Sequence, residues 1–379
     1  MSETRIDQDP GLAQASYGLY RSRLNGLNSD FPQHQGLGEE EFRAAIANPL
    51  VIKTEVEFGE RCVLPQLAPV TAFEWLHSPF YEEHFPAESA EGELLHFTDI
   101  PGVEPGEEVK ERLERLARKS GALVFDYPSI DPQYPDRVKG LLGGLGIKSG
   151  DIETLGTQTY YAGELSLKRE HERRDAPLTY PEAFDELVAR GEFDASESVN
   201  GTSLQRKVEG EEAERLYNFY EPAYATISDH PCTQALSPGE FREMLTDTRV
   251  AKVVYRKNGI AETLCLVTND LGSLTWINPE YYKKLYPEKY EKGQVVWFPG
   301  IATDPDPLVA GHNFPKIADL LTHLNEMGDN AIVVVFDAPD MNAGWLDQYI
   351  ESEVNKTPYA SIHFKTLGVQ RYCAVKLGI

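Results

Sequence analysis

A chain of 379 residues exceeds one ordinary hydrophobic core and points to two or three domains. Its 61 acidic against 36 basic residues leave a net charge of −25, which disfavours phosphate backbones and anionic lipid and favours cationic partners. Cys62, Cys232, Cys265 and Cys373 are scattered without CxxC spacing, which suits reduced thiols better than a disulfide framework or a zinc site.

The chain opens on MSETRIDQDPG, a polar and acidic stretch with no signal-peptide pattern. The longest apolar run, AIVVVF at 331–336, is too short to span a bilayer. The expectation is a soluble, cytoplasmic protein with no membrane partner.

From residue 29 onward the first half reads as a template for the second. SDFPQHQGLGEEEFR at Ser29 returns as SDHPCTQALSPGEFR at Ser228, an offset of 199. WLHSPFYEEHFP at Trp75 and GELLHF at Gly92 return as WINPEYYKKLYP at Trp276 and GQVVWF at Gly293, both at offset 201. LVFDYP (123–128) matches VVFDAP (334–339) at 211, and TLGTQTYY (154–161) matches TLGVQRYC (366–373) at 212. Offsets that drift slowly and keep their order are the mark of a duplicated domain with small insertions. The expected division is 1–167 and 205–379, joined by a charged linker, 168–204, with a short helix from Pro181 to Arg190.

In the second copy LQRKV (204–208) is a strand and GEEAERLYNFYEPAY (210–224) a helix with an acidic start. SPGEFREMLTD (237–247) is a helix with Ser237 as N-cap and Pro238 at its first position. VAKVVYR and ETLCLVT form a hairpin on an Asn258-Gly259 turn, and GSLTWI continues the meander. QVVWFPGI (294–301) is a strand, and Pro299 within it implies a bulge or an unpaired edge. FPKIADLLTHLNEM (314–327) has helical spacing, AIVVVFDAP is a buried strand, NAGWLDQYIESEV is a helix, and two strands, ASIHFK and GVQRYCAVKL, follow. The order β-α-α-β-β-β-α-β-α-β-β describes a mixed sheet, α/β or α+β.

That order resembles the GNAT (Gcn5-related N-acetyltransferase) superfamily, here as two tandem GNAT-like domains. QVVWFPGI is similar to the family's splayed fourth strand, AGHNFPKIADLL to its CoA-pyrophosphate loop and helix, and AIVVVFDAP to its fifth strand. In the first copy LLGGLGI (141–147) is similar to the family's closing helix. The resemblance implies acetyl-CoA or another acyl-CoA as co-substrate, its pyrophosphate at Gly311, His312 and Asn313 and its pantetheine along Phe298, Gly300 and Ile301. With Pro299 unable to donate, Gly300 or Ile301 supplies the N–H for the thioester carbonyl. The loop of the first copy, DIPGVEPGEEVKERL, instead sets Glu104, Glu107 and Glu108 against a phosphate, so that copy is expected to be degenerate.

For chemistry the resemblance offers Tyr349 as the acid on the leaving thiolate, or else an ordinary tyrosine of an amphipathic helix. His312 is a base or phosphate contact, or else a solvated loop residue. Asp229, with His230, binds an amine, or else caps a turn. Trp276, Tyr281, Tyr282 and Tyr286 wall a cleft or pack as a cluster.

The leading function is an acyl-CoA-dependent N-acyltransferase acting on a small cationic amine through the second copy. One alternative is an inactive tandem pair serving as a ligand-binding or scaffold protein. Another is a Fem-like tRNA-dependent aminoacyltransferase, which the acidic charge and lack of a basic tract oppose. Nothing in the sequence sets the oligomeric state.

Overall fold

The computed structural model describes residues 10–28, 31, 39–58, 60–73, 76–98, 100, 103–167, 201–225, 230, 236–274, 277–303, 333–339, 346–356 and 360–378. The chain is a mixed α/β protein of two compact units. Unit 1 is Met1–Thr157 with Asp229–Thr233 and Gly368–Ile379; unit 2 is Gln158–Ser228 with Gln234–Leu367. Among the described residues no helix is long and apolar enough to cross a membrane.

Unit 1 contains helices α1 (Pro10–Asn28) and α2 (Glu39–Ala47), hairpin β1 (Ile52–Phe58) and β2 (Glu60–Pro69), and short helices α3 (Ser78–His84) and α4 (Pro86–Ala90). Strand β3 (Leu94–Phe97), helix α5 (Glu107–Arg118), strand β4 (Ala122–Pro128), helix α6 (Tyr134–Gly144) and the short β5 (Lys148–Ser149) follow. The sheet is completed by the second part of β12 (Ala360–Gly378), in the order β1-β2-β3-β4-β12. Pairing is antiparallel except between β3 and β4.

Side chains alternate across this sheet with a period of two and feed two cores. Leu64, Leu94, Val124 and Ala374 face Tyr20 of α1 and Phe42 of α2. Leu95, Phe125, Cys373 and Val375 face Leu113 and Leu116 of α5 and Val138 and Leu142 of α6. The predicted closing helix at LLGGLGI is α6. It stops because Gly146 takes φ +72°, letting Ile147 N–H reach Leu142 O at 2.9 Å and Gly146 N–H reach Gly143 O at 3.0 Å.

Unit 2 contains the second part of β6 (Glu153–Leu167), then β7 (Gly201–Gln205), α7 (Gly210–Ala225), α8 (Pro238–Thr246), β8 (Ala251–Lys257) and β9 (Ile260–Thr268). Helices α9 (Pro279–Leu285) and α10 (Pro287–Glu291), β10 (Val295–Thr303), β11 (Val333–Pro339) and α11 (Leu346–Lys356) follow. Its strand order is β7-β8-β9-β10-β11-β6. Asn258 (φ 54°) and Gly259 (φ 77°) make the predicted hairpin turn. Ser237 caps α8 in a full capping box: its hydroxyl accepts the Glu240 N–H at 3.3 Å, and the Ser237 N–H donates to the Glu240 carboxylate at 2.8 Å.

Two expectations are corrected. The strand expected at GSLTWI does not include its first residues, because Leu271–Ser273 forms a single 3-10 turn, closed by Ser273 Oγ donating to Asp270 O at 2.6 Å, while Thr275 and Trp276 lie outside the described residues. ASIHFK and GVQRYCAVKL are one strand, β12, because nothing between them breaks its extended backbone. The repeated aromatic-proline segments, whose secondary structure the sequence left open, hold helix pairs, α3/α4 and α9/α10, each with a proline as its first or second residue, where a missing N–H costs nothing.

The two TLG segments occupy equivalent registers. Gln158 of β6 stands opposite Pro339 of β11, and Gln370 of β12 stands opposite Pro128 of β4. Each unit nevertheless takes this strand from the other half of the sequence, so the compact units differ from 1–167 and 205–379. A repeat shows which segments are equivalent but not which sheet each one joins.

Candidate active site

β10 pairs with β11 over three residues only: Val295 with Val333, Val296 with Val334, Trp297 with Val335. Beyond that point β10 follows β9 as far as Thr303 opposite Thr263, while β11 follows β6 as far as Pro339 opposite Gln158. The strands therefore part after Trp297 and Val335. The cause is local. Pro299 has no N–H to offer a ladder, and the β10–β9 register slips between Trp297 and Gly300, a bulge where the sequence predicts one.

Gly300 sits where α7 comes close. A Cβ there would lie 3.3 Å from the Tyr224 hydroxyl and 3.6 Å from the Tyr220 ring. The Ile301 N–H donates to the Tyr224 hydroxyl at 3.1 Å. Burial first, and the nearby Asp337 charge after it, raise the Tyr224 phenol well above its ordinary value, so the hydroxyl keeps its proton and remains a donor.

Asp337 lies two residues past the end of the parallel ladder and accepts a hydrogen bond from the Gln158 side chain of β6. Burial pushes its carboxyl up to about 6, against the opposing pull of the Gln158 bond and of its own backbone. A carboxylate with that affinity is a serviceable proton acceptor near neutral pH. Tyr282 and Trp297 are fully buried, with rings edge-on at 6.1 Å. Among the described residues the Tyr282 hydroxyl and the Trp297 Nε1–H have no hydrogen-bond partner. Burial, then the Asp337 charge, also raises the Tyr282 phenol.

The predicted residues fall into three groups. Phe298 is buried in the apolar cluster of Val296, Phe336 and Ile350, and Ile301 and Tyr349 pack half-buried against that cluster. Phe298, Ile301 and Tyr349 thus share one apolar cluster, while Gly300 faces Tyr220 and Tyr224 of α7. Gly311, His312, Asn313 and Asp229 lie outside the described residues, as do Trp276, the helix predicted at 314–327 and the one predicted in the linker. His230 is described and belongs to unit 1, 1% exposed, with its Nε2 3.1 Å from Thr157 O and its ring edge-on to Tyr372. That is a packed core histidine.

Asp337, Gln158 and Tyr224 were not singled out in the sequence. The signal was present in two quoted repeats, since LVFDYP and VVFDAP share an aspartate and TLGTQ and TLGVQ share a glutamine.

Unit 1 repeats the three-pair ladder: Leu94 with Ala122, Leu95 with Leu123, His96 with Val124. Its polar groups are closed on themselves. Asp126, the counterpart of Asp337, has one oxygen 3.1 Å from His96 Nε2 and the other accepting from Gln370 at 2.5 Å. Trp297 stands where unit 1 has His96. The Gly106 N–H at the N-cap of α5 donates to Thr54 Oγ1 at 2.9 Å, and that hydroxyl donates in turn to Gln66. Glu107 and Glu108 fill the first turn of α5. A phosphate placed there would meet two carboxylates and an engaged N–H.

No protein-family model matches the chain, and no curated protein does. Among solved structures the chain is similar to a GCN5-related N-acetyltransferase from Sphaerobacter thermophilus, at 11% identity over 76% of this chain and 74% of that one, with a TM-score of 0.36. It is similar to a tandem GNAT protein from the clavulanic acid biosynthesis pathway, at 11% identity over 98% and 96% of the two chains, with a TM-score of 0.39. It is also similar to Saccharomyces cerevisiae N-myristoyltransferase with bound myristoyl-CoA, at 10% identity over 76% and 59%, with a TM-score of 0.31. None of these likenesses carries a functional argument, which stands on the parting of β10 and β11.

Proposed function

We propose that this chain transfers an acyl group from acetyl-CoA or another acyl-CoA to a small cationic amine, and that the chemistry runs in unit 2. The parting of β10 and β11 carries the reading. It leaves the edge of β10 beyond Trp297 without β11 as a partner and so open to an amide-bearing arm, which at Ile301 displaces the Tyr224 hydroxyl. Asp337 and the acidic surface suit a cationic acceptor. Tyr349 keeps its proposed role as acid on the leaving thiolate, His312 that of base or phosphate contact, and Asp229 that of an amine-binding group.

Calorimetry with CoA is the test. Gly311→Glu is expected to weaken CoA binding by about 1–3 kcal/mol, roughly tenfold to more than a hundredfold, by setting a carboxylate against the pyrophosphate. Gly106→Glu is expected to leave CoA binding unchanged, because the α5 N-terminus is already occupied by Thr54 and two glutamates. No CoA binding by the unmodified protein would favour the inactive-scaffold reading, which the engagement of Ile301 N–H by Tyr224 supports. Appreciable tRNA binding at physiological salt is expected to be absent. Tight, salt-sensitive retention of tRNA in a filter assay would bring the Fem-like reading forward.

A further inference from the structure

We propose that Asp337 anchors the ammonium group of the acceptor and takes its proton, with Gln158 as the residue that positions the carboxylate. The proposal rests on the acyl-transfer reading and adds to it the group that activates the nucleophile.

The first observation is placement. Asp337 follows the last ladder pair, Trp297 with Val335, by two residues, so it stands on the part of β11 that β10 has left. Its charge reaches Tyr224 of α7, whose hydroxyl holds the Ile301 N–H. Asp337 and the backbone N–H expected to meet the thioester therefore both lie near the Tyr224 hydroxyl.

The second is a comparison within the molecule. A Gln–Asp pair occurs in both units, which by itself is explained by the packing of a strand. In unit 1 the aspartate is also held by His96, so both oxygens are engaged by side chains. In unit 2 tryptophan replaces that histidine, and among the described residues Gln158 is the side chain that donates to Asp337. The substitution keeps the pair and releases one oxygen from a side-chain partner.

The third is a pair of orphaned donors. Trp297 Nε1–H and the Tyr282 hydroxyl are fully buried and have no partner among the described residues, and Tyr282 is within electrostatic reach of Asp337. Buried donors that the protein leaves unpaired mark a place where a polar ligand or its water completes the bonding.

The step balances as follows. The Asp337 carboxylate holds R–NH3+ in a charge-assisted hydrogen bond and takes one proton. The freed lone pair forms the C–N bond to the acyl carbon as the C–S bond breaks, and the electron pair of that bond leaves with sulfur. Tyr349 gives its proton to the sulfur and is reprotonated by the second amine proton, giving amide and free thiol, and Asp337 returns its proton to solvent. Among the described residues, the groups facing Asp337 are Tyr224 from α7, Tyr282 from α9, and Gln158 and the opposing Tyr160 from β6. The Tyr224 and Tyr282 phenols are raised above their ordinary value, so they keep their protons where the carboxyl titrates.

The test uses the full-length protein with CoA and with n-butylammonium chloride as separate probes. By calorimetry, Asp337→Asn is expected to weaken butylammonium binding at least about tenfold with the CoA affinity unchanged, and Asp337→Glu is expected to restore most of it. Infrared detection of isotope-labelled aspartate in the unmodified protein needs no variant. Butylammonium is expected to lower the titration midpoint of the Asp337 carboxyl from about 6, and Gln158→Leu is expected to raise it, because the lost hydrogen bond favours the charged form. CoA binding without any butylammonium effect on that carboxyl overturns the proposal and leaves the acyl-transfer reading standing. Failure to bind CoA overturns that reading, and this proposal with it. A Gln158→Leu midpoint equal to that of the unmodified protein removes the positioning role.

Discussion

A chain lacking residues 368–379 is expected to lose the fold of unit 1 while unit 2 stays folded. Those residues supply the strand that pairs with β4 over seven positions, Gln370 opposite Pro128 through Lys376 opposite Ala122. They also bury Tyr372, Cys373, Ala374, Val375 and Leu377. At about 1.5–3 kcal/mol for a fully buried aliphatic side chain, their removal costs on the order of 10 kcal/mol before any lost strand pairing. A domain has only about 5–15 kcal/mol to lose. Hydrogen exchange on the shortened chain gives the check. β4 amides are expected to exchange freely while β9 amides stay protected, and full protection of β4 would show that unit 1 closes without its fifth strand.

Glu212→Ala is expected to destabilise unit 2 by about 3–5 kcal/mol, because it strands a buried guanidinium. Arg256 is 4% exposed, and its two terminal nitrogens reach Ser203 Oγ at 2.7 Å and the Glu212 carboxylate. The other oxygen of Glu212 meets Arg215 Nε at 2.9 Å, which holds the carboxylate in place on α7. Removing the glutamate leaves Arg256 with a hydroxyl and no counter-charge beneath the helix. The double variant Glu212→Ala, Arg256→Met is expected to recover most of the loss, since the unpaired charge goes with the arginine. Denaturant melts of the single and double variants decide it. Equal losses in the two would show that helix packing, and not the stranded charge, sets the cost.

Features of the fold that depend on neighbours in sequence were legible. The Asn258-Gly259 turn, the Ser237 cap and the Pro299 bulge each follow from one or two residues and a fixed backbone demand. Pro299 marked the irregular stretch of β10 locally, while the choice of Phe298, Gly300 and Ile301 came from the resemblance to the GNAT superfamily. Helices α9 and α10 were not readable, because seven- and five-residue helices are too short to show a period and their aromatics and prolines look like strand and turn. Asp337 and Gln158 were visible only as markers of the repeat. They are 179 residues apart, and only the pairing of β6 with β11 gives them a shared purpose. The exchange of the closing strands was invisible for a related reason. TLGTQ and TLGVQ carry the same pairing residues, so their local chemistry fits either sheet.

That exchange also sets a timetable for the chain's birth. The aspartate of β4 and the glutamine of β12 that meets it are 244 residues apart. At roughly 5–20 residues per second, a ribosome needs on the order of ten to fifty seconds to deliver the second after the first. Throughout that interval the nascent first unit displays β4 as an open, apolar edge, the kind that recruits a stranger's strand. The duplicated half that emerges first is therefore finished late, and its yield in the cell should depend on chaperones that shield that edge more than its finished stability would suggest.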